Sequence, residues 1–126
     1  MLKRGRAGLM IGVALIILLI AILIPKYREL ALHSREEILR VNLTSMRDVI
    51  KKFTQDKQRA PQSLQDLIDA GYFQQLPVDP FTDSNSTWEP VIETITLSTG
   101  QTIQGITDLR SGSSSVSSKG TSYREW

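Results

Sequence analysis

Eighteen residues from Ala7 to Ile24 carry no charge, and the run stops at Pro25, where Lys26, Tyr27 and Arg28 begin a charged segment with strong helix-forming character. At 1.5 Å per residue an uncharged helix of that size reaches about 27 Å, close to the roughly 30 Å hydrocarbon thickness of a bilayer. The join of a greasy helix to a water-compatible one gives the expectation of a single membrane pass. Lys3, Arg4, Arg6 and the amino terminus put positive charge just before the run, which favours a cytoplasmic N-terminus and an extracytoplasmic remainder. A cleaved secretory signal is the rival reading, but the apolar stretch is long for one and no small-x-small site follows it.

The 126 residues therefore divide into a basic tail over 1–6, a membrane-spanning helix half over 7–25, and an extracytoplasmic domain over 26–126. About one hundred residues suffice for one small domain. With no cysteine in the chain, that domain has no disulfide and relies on packing. A net charge of +2, partly contributed by the N-terminal tail, provides no basic surface of the kind nucleic-acid binding needs.

After Pro25 the apolar residues take a helical rhythm. Leu32, Leu39, Met46 and Phe53 recur every seven, with Leu43 and Ile50 between them, so one stripe faces a core. Glu36 with Arg40 and Asp48 with Lys52 are read as solvated i,i+4 pairs. The helix is expected to run to about Thr54, with Pro25 bending a rod of roughly fifty residues rather than ending it.

A short second helix is announced by Ala60-Pro61-Gln62-Ser63, where Ser63 is the expected cap, Asp66 completes a capping-box variant, Leu64, Leu67 and Ile68 form the buried side, and Gly71 stops it. Pro77-Val78-Asp79-Pro80-Phe81 reads as an extended segment pinned to the core by its apolar side chains. Beyond Trp88 the period becomes two. Val91, Ile95 and Leu97 alternate with polar residues, Thr99-Gly100 turns the chain, and Thr102 to Thr107 returns, which predicts a small antiparallel sheet and an α+β fold. The serine- and glycine-rich stretch from Ser111 to Ser122 has one apolar side chain, Val116, and is expected to be irregular. Tyr123 and Trp126 beyond it suggest that the chain end ties back onto the domain.

This order of features resembles the major (G-type) pseudopilins of type II secretion systems, within the wider type IV pilin-like group. The resemblance rests on Ile24-Pro25-Lys26-Tyr27, the stretch Leu43 to Phe53, the block Arg59 to Leu67, Gly71-Tyr72, Pro77 to Phe81, Trp88, the run Gly105 to Ser113, and the closing Gly120 to Trp126. It implies a pilin-like fold and a structural role. Such subunits leave the inner membrane and stack helix against helix into a short periplasmic filament, with other pseudopilins and the inner-membrane secretion platform as partners. The implied assembly positions are Leu9, Gly12, Leu15, Leu19, Pro25, Leu32, Leu39 and Met46. Arg28, Glu29, Arg35, Glu36 and Glu37 are candidates for charge pairs between subunits. Prepilin processing followed by methylation would fall after Gly5, leaving Arg6 first, or after Gly8, leaving Leu9 first and Pro25 five residues early.

Three positions depart from the family's pattern. No acid stands between Met1 and Ile24, where the family carries a glutamate that contacts a neighbouring subunit; Met10 or a nearby residue takes its place. The family binds calcium through oxygens of its C-terminal loop, but this chain has no carboxylate between Asp108 and Glu125, and Lys119 precedes Gly120 where related chains have aspartate. Backbone carbonyls and the hydroxyls of Ser113 to Ser118 could still contribute ligands, while Asp108 is a weak calcium candidate and reads better as a structural residue at a strand end. Ala60 stands where an aromatic residue is usual.

Sites for catalysis are sparse. His33 is the only histidine, with no cysteine or second histidine to complete a metal set. A Ser-His-Asp arrangement would have to recruit that same juxtamembrane residue. Asp66 and Asp69 are read as cap and surface rather than paired acid and base, and no phosphate-binding glycine loop occurs. The reading is a non-enzymatic pseudopilin-like subunit, with a type IV pilus subunit or a non-polymerising, membrane-anchored periplasmic binding module as alternatives.

Overall fold

The computed structural model describes residues 2–126. Met1, with the amino terminus counted in the basic tail, lies outside the described residues. The elements run α1 (Leu2–Lys57), α2 (Gln65–Asp69), β1 (Glu89–Thr96), β2 (Thr102–Arg110), and a short 3-10 turn at Tyr123–Glu125. The molecule is α+β, with one long N-terminal helix, a short helix and a two-stranded antiparallel sheet. The chain divides into two compact units, 1–34 and 35–126.

Within the first unit α1 continues through Pro25, whose missing N–H leaves the Ala21 carbonyl without its usual donor. From Leu9 to Ile24 the leucines, isoleucines, Met10 and Val13 lie exposed on every side of the helix. An 18-residue window of α1 has a mean hydropathy of 3.2, so the helix is long and apolar enough to cross a membrane.

Within the second unit the stripe on α1 becomes a core. Leu39, Leu43, Met46, Ile50 and Phe53 are buried with Leu67, Trp88, Ile106, Leu109 and Tyr123. The stripe begins at Leu39, because Leu32 is only half-buried. The helix ends three residues later than the sequence rhythm suggests. Gln55 to Lys57 continue it, and Gln58 stops it in a left-handed conformation with φ 51°, its side-chain amide donating to the Gln55 carbonyl at 2.7 Å.

α2 is one turn long, and its start differs in part from expectation. Ser63 makes no side-chain cap; the Asp66 carboxylate instead accepts the Gln62 N–H at 2.8 Å. Gly71 closes the helix at φ 83°, a conformation that favours glycine, with Tyr72 N–H donating to the Leu67 carbonyl at 3.0 Å.

The segment 77–81 is not extended throughout. At Asp79 it enters a tight turn, in which the Asp79 and Ser84 backbones pair and the Asp79 carboxylate accepts the Phe81 N–H at 2.8 Å. An aspartate whose side chain bonds a backbone N–H two residues on makes a turn cheaper than an extended strand. The turn places Phe81 against Tyr123, with ring centroids 3.9 Å apart.

β1 and β2 pair from Glu89↔Arg110 to Thr96↔Thr102, with a bulge between Val91 and Ile92, and Gly100 turns the hairpin. The segment 60–62 lies along β2, where Ile106 N–H donates to the Pro61 carbonyl at 2.8 Å. This close approach requires Gly105, since a Cβ there would stand 2.8 Å from that carbonyl oxygen.

Candidate functional site

Two sets of residues carry the features that could be put to use: the surface of α1 and the closure of the C-terminal segment. On α1, Leu9, Leu15 and Leu19 are 70%, 57% and 57% exposed, and the positions around Gly5, Gly8 and Gly12 are open enough to take a Cβ without contact. These residues form apolar surface that no described residue of the chain covers. Leu39 and Met46 correct the expected assembly set: both are completely buried in the core of their own domain and offer no area to a neighbour.

Glu36 is a second correction. It stands in the same three-four rhythm as the core stripe, one turn before Leu39, and is 4% exposed rather than solvated beside Arg40. Its Oε1 accepts the Ser118 N–H at 2.7 Å and the Tyr123 hydroxyl at 2.9 Å, while Oε2 accepts the Ser118 hydroxyl at 2.8 Å. It is therefore not a surface charge available to another subunit. Arg40 approaches Glu37 at 3.6 Å and lays its guanidinium over the Trp126 ring, 4.6 Å from the centroid. Lys52, expected beside Asp48, has its ammonium 6.0 Å from the Tyr72 ring centroid. Burial, followed by the hydrogen bond and charge of Glu36, pushes the Tyr123 hydroxyl up to about 12.

Arg47, which no motif singled out, joins the second half of α1 to the chain end. Its Nε donates to Asp108 Oδ1 at 2.6 Å, and its Nη2 donates to the carbonyls of Leu109 at 3.1 Å and Trp126 at 2.8 Å. Burial raises the Asp108 carboxyl, but the Arg47 hydrogen bond, the Leu109 N–H and the charges of Arg47 and Arg110 outweigh it and hold the group below the ordinary carboxylate range. Asp108 is thus a hydrogen-bonded residue near the end of β2. Arg40, Thr44, Arg47 and Trp126 border a groove of about 410 Å³ beside this hub.

The described side chains do not supply the cluster of carboxylates that a calcium site usually has. Calcium takes six to eight oxygen ligands, several of them carboxylate. Asp108 faces a guanidinium, Lys119 is the one charged side chain from 111 to 122, and among the described residues no three of His, Cys, Asp and Glu gather. Among the described residues no buried side-chain oxygen lacks a hydrogen-bond partner, so none is left aimed at an absent ion.

The other charged positions form local contacts. His33 lies 3.9 Å from Glu29 one turn earlier, and Asp69 accepts from Gln65 at 3.0 Å. The Gln62 N–H, reinforced by Arg59 at 3.5 Å, lowers the Asp66 carboxyl against a smaller opposing effect of burial. Arg28 and Arg35 are exposed on the helix. Comparison with protein-family models, with curated proteins and with solved structures finds no match to this chain.

Proposed function

We propose that this protein is a pseudopilin-like structural subunit of a type II secretion system, anchored in the inner membrane by residues 7–25 with its N-terminus cytoplasmic and its domain periplasmic, and assembling through α1 into a short filament. The observation that supports this reading best is the two-part character of α1. Its first half is apolar and exposed on every side from Leu9 to Ile24, while its second half buries one stripe in a small α+β domain. A helix apolar all round is at ease in lipid or among other helices of its own kind, so a single segment serves as anchor and as filament core. Gly8 and Gly12, four residues apart and open on the helix surface, allow close helix approach.

Because the chain has no cysteine, single cysteines introduced at Ile16 and Leu19 are unique crosslinking handles. In membranes of the native host with the secretion machinery expressed, oxidation is expected to give an assembly-dependent ladder from paired cysteine positions, with dimers only from single positions. Monomers under all conditions would replace this reading with that of an anchored, non-polymerising domain, the alternative to which the absence of an acid between Met1 and Ile24 lends weight.

A further inference from the structure

The C-terminal segment from Ser111 to Ser122 contains no helix and no strand of the sheet, yet Ser111, Ser113 and Ser117 are buried. A serine-rich segment cannot be held by apolar burial, and its backbone groups must find partners once they leave water. Two carboxylates supply the anchors. Asp79, completely buried, accepts the Ser111 hydroxyl at the start of the segment. Glu36 takes the Ser118 N–H, the Ser118 hydroxyl and the Tyr123 hydroxyl near its end.

Between these anchors the serines bond one another's backbones. The Ser113 N–H donates to the Ser111 hydroxyl oxygen and the Ser115 N–H to that of Ser113, each at 3.1 Å. The Ser117 hydroxyl oxygen accepts the N–H groups of Lys119 and Thr121, each at 3.2 Å. Ser117 N–H donates to the Thr121 carbonyl at 2.7 Å, closing a turn. The hydroxyl oxygens of Ser111, Ser113 and Ser117 are already receiving backbone hydrogen bonds, and the charge on this segment, Lys119, is positive. A buried carboxylate is tolerated when several donors surround it, and the Ser118 N–H, the Ser118 hydroxyl and the Tyr123 hydroxyl all donate to Glu36.

We propose that the Glu36 carboxylate, with Asp79, closes the C-terminal loop using protein groups alone, so that this chain folds and holds its loop without a divalent cation. The inference stands on the 35–126 unit and does not depend on whether the chain assembles.

The test uses the full-length chain in detergent micelles. Thermal unfolding followed by tryptophan fluorescence is expected to give the same Tm in EGTA and in millimolar calcium, because a ligand that binds only the native state would raise it. A calcium-dependent rise not reproduced by magnesium would overturn the proposal. Glu36→Gln is expected to speed amide exchange across residues 115–123 by about ten- to one-hundred-fold, the range lost with charge-assisted hydrogen bonds. Unchanged exchange in that variant would also overturn it. If Glu36→Gln does not fold, Ser118→Ala removes one hydroxyl donor while leaving the carboxylate, and a smaller acceleration confined to the same peptide is expected; no acceleration would count against the proposal.

Discussion

Single residues set local limits in this protein through space and charge. Gly112 lies so close to the Thr87 carbonyl that a Cβ would collide with backbone, which cannot rotate away as a side-chain tip can. Gly112→Ala is therefore expected to destabilise the domain by about 2–3 kcal/mol, within the range for forced overpacking, as measured by urea unfolding. Asp108 makes a pH prediction. Its carboxyl is lowered in the fold, so the unfolded chain takes up its proton first as pH falls. The stability it contributes is present above about pH 4, the ordinary aspartate value, and is lost as pH drops through the lower folded value. Asp108→Asn should flatten that part of the acid limb in a plot of unfolding free energy against pH.

At the scale of elements, α1 has two kinds of apolar position in its second half. Met46 is completely buried, whereas Val41 is 58% exposed. Met46→Ala should lower stability by about 2–5 kcal/mol through lost burial and the cavity left behind. Val41→Ala, away from the core, should change it by less than about 0.5 kcal/mol in the same denaturant titration. The seven-residue rhythm made the buried side legible from Leu39 to Phe53, because helical periodicity is a property of the local sequence. The rhythm also passes through Glu36, whose charge taken alone points to solvent although the residue is buried. A charged residue in register with a core stripe is the signal that could have pointed to its buried partners, but Ser118 and Tyr123 lie more than eighty positions away in the chain.

At the scale of the molecule, the 35–126 unit is closed by its own end. Tyr123 stacks on Phe81 and meets Trp126 edge-on with centroids 5.1 Å apart, and the Trp126 carbonyl accepts from Arg47. Deleting residues 123–126 removes a completely buried tyrosine and the Arg47 contact together. The truncated chain should lose its sharp thermal transition, with Trp88 fluorescence shifting to the red as its surroundings admit water. A truncation that kept the full-length Tm would show that the end is an ornament on a core already complete.

The apolar run before Pro25, the stripe from Leu39 to Phe53, the glycine stop at Gly71 and the hairpin turned at Gly100 follow from the sequence by itself. Each depends on composition, periodicity or a backbone preference within a few residues. Tertiary structure alone decided that Glu36 is a buried anchor, that Arg47 binds Asp108 and the chain end, and that Asp79 turns the chain and holds Ser111. Those roles arise where a polar group leaves water and must take whichever partner the fold brings within hydrogen-bond reach, and sequence spacing carries no record of that meeting.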